Sequence, residues 1–400
     1  MYQYDAQDYP YASKRHVVYA KNGMCCSGNP STSSAGLQTL LKGGNAIDAI
    51  LAMAASLPVV EPTGNGLGAD CFAIIWYKGK LYGINGTGPA PMLNSVAALK
   101  ERGFDKIPSY GVEPINVPGA VGGWMAMHER FGSMPLEEVF APAVRYAENG
   151  YPVSPNISRL WEEAYGIYSK YRERPEFQGW FDTFAPNDTW LKPGDVFKVP
   201  EMAATLREIA ATKGESFYRG RLADVMDAFF KKHNGFLRKE DLAAYHPEWV
   251  DPISVNYHGY DVWELPPNGH GITVLMALQI LKDMDLGARD DVETLHKQIE
   301  AMKLAMTDTA NYVAEPSYMK VTVEELLSEE YASRRRAEIS DVAKLPTVGD
   351  PKYHSTVYFC AADKDGNMVS MIQSNFRGFG SGIVIPGTAI SLNDRAENFK

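Results

Sequence analysis

Two hydroxyl side chains, Thr356 and Ser374, frame the segment with the clearest chemical potential. Thr356-Val-Tyr-Phe-Cys-Ala-Ala362 is a β-rich run, Asp363-Lys-Asp-Gly-Asn367 reads as a turn, and Met368-Val-Ser-Met-Ile-Gln-Ser374 is a second β-run. A three-residue loop with Gly366 in the left-handed position predicts a type I turn followed by a bulge. The pairs then run from Ala362 with Met368 out to Thr356 with Ser374. In that register the two Cβ atoms stand about 4.5–5.5 Å apart. Facing hydroxyls are raw material for acyl transfer, although by composition alone a threonine at the head of a strand is ordinary strand material.

Other chemistries find less support. The eight histidines are His16, His128, His233, His246, His258, His270, His296 and His354. No two are spaced to share adjacent helical turns or alternate strand positions, and HExxH is absent, so no metal is expected. A serine-hydrolase elbow, GxSxG, is also absent. Gly64-Asn-Gly-Leu-Gly68 is a faint dinucleotide fingerprint, but it follows Glu61-Pro62-Thr63 rather than an apolar strand and lacks the GxGxxG spacing. A tight backbone loop is the plainer reading, and no cofactor is expected.

The bulk numbers narrow the partners. A net charge of −10 argues against nucleic acid or an anionic membrane as partner, but not against a small anionic substrate. Hydrophobic residues at 45% and charged residues at 22% are an ordinary globular balance, and 400 residues suffice for a large core without staples. Cys25, Cys26, Cys71 and Cys360 form no disulfide framework and no CxxC zinc pattern, and read as free thiols. The polar first fourteen residues hold no secretion signal, no stretch has the length of a membrane span, and the cytoplasm is the expected compartment.

Turn residues are spread along the chain without repeats or linkers, which predicts one continuous domain, 1–400. Ser33 or Ser34 is the expected cap of a helix that stops at Gly43-Gly44. Asn45 should cap a second helix, from Ala46 to about Leu57, ended by Pro58. Cys71–Tyr77 and Lys80–Asn85 read as a hairpin about Lys78-Gly79, and residues 93–245 as mostly helical. A strand is expected near Tyr260–Leu265. Helices should follow at Ile272–Met284 and Val292–Asn311, with a charged surface helix over Glu324–Ile339.

His354-Ser-Thr-Val-Tyr-Phe-Cys-Ala-Ala-Asp-Lys-Asp-Gly-Asn-Met-Val-Ser370 resembles the processing site of the gamma-glutamyltranspeptidase and cephalosporin acylase family of N-terminal-nucleophile hydrolases. Gly378-Phe-Gly-Ser-Gly-Ile-Val-Ile-Pro-Gly387 and 390–399 continue the resemblance. Upstream, Gly36-Leu-Gln-Thr-Leu-Leu-Lys-Gly-Gly-Asn-Ala-Ile-Asp48, Val59-Val-Glu-Pro62, Val117-Pro-Gly119 with Trp124, Pro142-Ala143, Asp241-Leu242, Leu265-Pro-Pro267 and Glu300-Ala-Met-Lys-Leu-Ala305 follow in family order. The ordered series spans nearly the whole chain and is more specific than any single motif.

The resemblance implies an α+β fold, the four-layer αββα sandwich, and an autocatalytic cut between Ser355 and Thr356. A large part, 1–355, and a small part, 356–400, would result. Thr356 would be the catalytic nucleophile, its freed α-amine the base, and Ser374 the second hydroxyl. The substrate would be a small-molecule amide, with contacts from Asn375, Arg395, Asn398 and position 87. Thr87 stands where true gamma-glutamyl transferases carry an arginine for the glutamyl α-carboxylate. Asn398 stands for their acidic residue, and Arg395 for a nearby glutamine. These departures favour an acylase or small-amide hydrolase over a glutathione transpeptidase. Arg395 is equally readable as an ordinary ion-pair partner of Asp394 or Glu397. Family members run on past Lys400 with further core strands and a Gly-Gly oxyanion hole, so the C-terminal part reads as cut short. A true gamma-glutamyl transferase and an unprocessed scaffold or binding protein are the rivals, and self-association is left open.

Overall fold

The computed structural model describes residues 17–346 and 357–398. Its strands are β1 (Gly23–Ser27), β2 (Asp70–Tyr77), β3 (Lys80–Gly86), β4 (Tyr151–Pro152), β5 (Val196–Phe197), β6 (Glu248–Val250), β7 (Ile253–Tyr257), β8 (Tyr260–Glu264), β9 (Val357–Asp363), β10 (Met368–Ser374), β11 (Val384–Ile385) and β12 (Ile390–Ser391). The described chain groups into two compact units. The smaller takes in the described parts of Met1–Ala20 and Val250–Tyr353 together with Leu81–Gly83; the larger takes in Lys21–Lys80, Ile84–Trp249 and the described part of His354–Lys400.

The larger unit carries the main sheet, except for residues 81–83 and Val250, in the order β1-β9-β10-β2-β3-β6. The hairpin expected from spacing forms in the expected register: Met368 pairs with Ala362 and Gln373 with Val357. Gly366, at φ 80°, takes the left-handed turn position. Asp363 fixes this turn by accepting from the backbone N–H groups of Asp365 and Asn367, each at 3.0 Å. Its other oxygen accepts from Ala46 N at 3.0 Å, so one carboxylate joins the hairpin turn to the start of a helix. Burial alone would raise the Asp363 pKa, but bonds from Asn367, Ala46 and Asp365 hold it below its ordinary value. The β2–β3 hairpin also forms as expected, with Lys78 and Gly79 both at positive φ as a type I′ turn requires.

Helix α1 (Pro30–Leu41) begins earlier than expected. Asn29, not Ser33 or Ser34, caps it by accepting from Ser31 N at 2.9 Å, and Pro30 occupies the first turn, where its missing N–H costs little. Helix α2 (Ala46–Val60) is capped by Asn45, as read from the sequence. The Asn45 side chain accepts from Ile47 N and Asp48 N while Asp48 Oδ2 accepts from Asn45 N at 2.9 Å. Pro58 lies inside the last turn instead of ending the helix, which runs on to Val60. Every residue of α2 is buried, and its alanines let it lie close on β9 and β10. It covers the sheet face formed by Val357, Phe359, Ala361, Val369 and Met371. The opposite face carries Tyr358, Cys360, Met368 and Ile372 and is more exposed.

The central stretch is largely helical, as expected, with β4 and β5 as a two-residue pair. Its aromatic core holds a loop that matters below. Phe379 packs on Phe184 (4.9 Å between centroids), Trp161 and Trp180 (5.5 Å each).

In the smaller unit, β8 spans Tyr260–Glu264 and pairs with β7, which the sequence reading did not mark. Helices Ile272–Leu281 and Val292–Tyr312 follow, the first three residues shorter than expected and the second one longer. The expected single helix over Glu324–Ile339 is two, Val323–Leu326 and Glu329–Arg336. Ser328 breaks it by capping the second, accepting from Tyr331 N at 3.2 Å.

Candidate active site

Ser355 and Thr356 lie outside the described residues, as does the side chain of Asn398. Of the sequence-predicted site residues, the structure brings Ser374, Asn375 and Arg395 together at one end of the sheet. Ser374 is the last residue of β10, is 3% exposed, and pairs across to Asp70, the first residue of β2. Its Oγ accepts from Phe376 N at 2.8 Å. That acceptor role orients the Ser374 hydroxyl and holds the chain in a sharp exit turn, in which Phe376 adopts φ 87°. Just before it, Gln373 accepts from Trp124 Nε1 at 3.0 Å, pinning the strand end from the helix side.

Three loops converge on this end. Asn375 N donates to Gly64 O at 3.1 Å, and Asp394 N donates to Asn375 O at 3.1 Å. Gly68 N donates to Ser391 O at 2.9 Å, and Asn393 Nδ2 donates to Gly68 O at 2.8 Å. The Gly64–Gly68 motif is thus a packing device. A Cβ on Gly66 would meet Ser391 Oγ at 2.1 Å, and one on Gly68 would meet Ser391 O at 2.5 Å. The motif follows helix α2 rather than a strand, so the context of a dinucleotide fingerprint is missing.

Around these loops, several polar atoms are buried without a hydrogen-bond partner among the described residues: Thr63 Oγ1, both amide atoms of Asn65 and of Asn375, Asn116 Oδ1 and Asp394 Oδ2. Burying unpaired polar atoms is costly, and their concentration at one place marks a region suited to a polar substrate group or solvent.

Arg395 does form an ion pair, but with neither of the partners expected. Its Nε donates to Asp70 Oδ2 at 2.9 Å, while Glu397 pairs in bidentate fashion with Arg377 at 2.8 and 2.9 Å. Asp70 and Arg377 are far from these partners in sequence, which is why local spacing suggested the wrong ones. The Arg395 guanidinium also lies over the Phe376 ring, 4.7 Å from its centroid. Burial holds the Asp70 carboxyl above its ordinary value, against the opposing pull of Arg395 as a charge and as a donor. Burial holds Asp394 well above the ordinary carboxylate range against pulls from Arg377 and Arg395.

Thr87 lies in the loop after β3, where its N–H and hydroxyl both donate to Asn85 Oδ1, at 3.0 and 2.7 Å. The hydroxyl serves its own turn, and the neighbouring Gly88 backbone reaches Asp70. Asp70, Phe376 and Arg377 were not read from the sequence. Asp70 could have been found only by knowing that β2 lies beside β10, where Asp70 pairs with a residue 304 positions later in the chain, Ser374.

Glu61, at the end of α2, is a further titratable group near the loops. Burial pushes its carboxyl up to about 7, and the carboxyl in turn adds to the burial that pushes the Tyr151 hydroxyl upward. Among the described residues no three His, Cys, Asp or Glu side chains are grouped to hold a metal ion, and no helix is long and apolar enough to cross a membrane.

Comparison with known proteins places this geometry in context. The model of the family described as gamma-glutamyltranspeptidase matches residues 32–400. The glutathione hydrolase-like YwrD proenzyme of Bacillus subtilis (strain 168) is 33% identical over 389 residues, 96% of this chain and 72% of that protein. The acylase ACY 1 proenzyme of Pseudomonas sp. (strain SE83) is 33% identical over 405 residues, with 97% and 72% covered. Among solved structures, the cephalosporin acylase from Bacillus halodurans matches with a TM-score of 0.94 at 53% identity, covering 100% of this chain and 74% of that one.

Proposed function

Because the chain belongs to the gamma-glutamyltranspeptidase family, we propose that it is an autoprocessing amide hydrolase working through an acyl group on Thr356, with acylase-like substrates rather than glutathione. The observation that carries this reading is the β9–β10 register taken with the family match. Gln373 faces Val357 in the last described pair, the step just before the Thr356–Ser374 pairing that the sequence spacing predicts.

In the precursor, Thr356 Oγ attacks the carbonyl carbon of Ser355. The C–N bond breaks as the acyl group moves to oxygen, and water hydrolyses the ester. This leaves parts 1–355 and 356–400 and a free α-amine on Thr356. An α-amine titrates at about 7.7–8, so much of it is neutral near pH 7.5 and accepts the proton of its own hydroxyl. The substrate carbonyl is then attacked by Oγ, the amine proton passes to the leaving nitrogen, and water releases the acid. Ser374, whose Oγ accepts from Phe376 N, is the hydroxyl proposed to donate to the nucleophile. The four-layer αββα sandwich belongs to this reading, with the sheet and α2 as two of its layers.

Two features support the acylase-like branch. Thr87 is neutral and engaged with Asn85, so position 87 offers no bidentate cation to a glutamyl α-carboxylate. Arg395, braced by Asp70 and Phe376, keeps guanidinium N–H groups for a carboxylate elsewhere on the acyl group. Asn375 and Asn398 complete the proposed substrate contacts.

Hydrolysis of a glutaryl anilide and a gamma-glutamyl anilide by the same preparation tests the reading. Faster turnover of the glutaryl compound is expected. Faster turnover of the gamma-glutamyl compound, accelerated by dipeptide acceptors, would move the chain to the transferase branch. Equal behaviour of wild type and Thr356→Ala on both would end the catalytic reading.

A further inference from the structure

Strands β1 and β9 run antiparallel with Cys26 directly opposite Cys360. Residues so paired share a face of the sheet, and their Cα atoms stand about 4.5–5.5 Å apart. That separation lies within the span of about 4.4–6.8 Å that a disulfide bridges. Burial pushes the Cys360 thiol up, the neighbouring Cys26 adds to that push as a charge and as a hydrogen-bond partner, and a hydrogen bond with Tyr358 pulls the other way. Both cysteines are free thiols; Cys26 is exposed and Cys360 half-buried.

The other two cysteines differ. Cys25 points to the opposite face and packs against α1, where a Cβ on Gly36 would meet its Sγ at 2.7 Å. Burial pushes its thiol up to about 12, which leaves almost no thiolate. Cys71 is 1% exposed and its pKa is also raised by burial.

We propose that Cys26 and Cys360 form a redox-responsive pair that closes into a cross-strand disulfide on meeting a low-molecular-weight disulfide. The exposed Cys26 thiolate attacks one sulfur of the external disulfide, forming a mixed disulfide and expelling one thiolate, which takes up a proton. The Cys360 thiolate then attacks Cys26 Sγ and expels the second thiolate. Two protein thiols are oxidised, one external disulfide is reduced, and two small thiols leave.

The position of the pair gives the bond a consequence. β1 lies near the start of the chain, whereas β9 begins at Val357, one residue after the proposed cleavage point. The disulfide would therefore tie the two products of cleavage covalently, a consequence that rests on the proposed processing although bond formation does not.

The test treats the purified full chain, and separately its Thr356→Ala variant, with glutathione disulfide. Intact mass and peptide mapping follow. In both proteins the expected result is a loss of about 2 Da, two hydrogens, with Cys26 and Cys360 mapped together. Cys26→Ser or Cys360→Ser should abolish that loss, and Cys25→Ser should leave it. In processed protein the fragments should run together on a non-reducing gel and separate with dithiothreitol. A stable glutathione adduct without closure, or a bond mapped to Cys25 or Cys71, would overturn the proposal. Closure in Thr356→Ala together with a wild type that never cleaves would retain the redox pair and reject only the processing.

Discussion

Arg395 Nε donates to Asp70 Oδ2 at 2.9 Å, and Asp70 is the cross-strand partner of Ser374. A cation is thereby fixed beside the strand end that carries the second hydroxyl. The Asp70 side chain is 1% exposed and that of Arg395 26%, so the carboxylate is the buried anchor and the guanidinium the face turned toward solvent. Phe376 supports the guanidinium from below while its N–H holds Ser374. On the proposed reading, the substrate cation Arg395 and the supporting hydroxyl of Ser374 are linked through Asp70 of β2 and through Phe376 of the turn after β10.

Arg395→Ala should raise KM for an amide with a carboxylate on its acyl group by roughly 10–100-fold, the loss of a charged hydrogen bond of about 1.5–3 kcal/mol. A neutral acyl amide should be much less affected. Arg395→Lys should fall between, because it keeps the charge and loses the planar fork. Steady-state kinetics on the two amides distinguish this from a general loss of structure, which would lower both alike.

Ser374→Ala should slow both self-cleavage and turnover by roughly 10²–10³-fold, in the range for removal of one positioned donor in the transition state. Ser374→Thr should restore most of both rates. A cleavage time course on freshly folded protein reads the first effect and an amide assay the second. Unchanged rates would remove Ser374 from the site.

Glu61 predicts a pH dependence of stability. Its pKa rises from 4.5 to about 7 on folding because of burial. The folded state therefore holds the proton more tightly, so this contribution is complete below pH 4.5 and is lost as pH rises through 7. Glu61→Gln stays neutral and should gain on wild type between pH 5 and 8, by up to about 3 kcal/mol. Urea unfolding in the Thr356→Ala background, where one chain unfolds, measures it. Parallel pH profiles for the two proteins would contradict the buried-carboxyl account.

Gly66→Ala should lower the melting temperature by several degrees and impair processing, because the added methyl would meet Ser391 Oγ at 2.1 Å. The overlap must be relieved by shifting β12, at a cost of about 1–3 kcal/mol. Thermal unfolding of the Thr356→Ala chain with and without the substitution checks this. No change would mean that the glycine loop is not packed as described.

Local signals were legible in the sequence wherever the physics is local. The β9–β10 register follows from alternation and a turn whose glycine takes positive φ, and the Asn45 cap and the β2–β3 turn follow from the residues at those positions. Caps at Asn29 and Ser328 were missed because competing serines and charged runs gave equally good local patterns. The ion pairs of Arg395 with Asp70 and Arg377 with Glu397 depend on which loops meet, and only the folded chain decides that. Neighbouring carboxylates in sequence were therefore poor guides to charge partners.

The most direct measurement is the N-terminal sequence and mass of every fragment in freshly purified protein. The account predicts two chains, one beginning at Thr356, and a single intact chain from Thr356→Ala. An uncut wild-type chain that hydrolyses amides as well as its Thr356→Ala counterpart would contradict it.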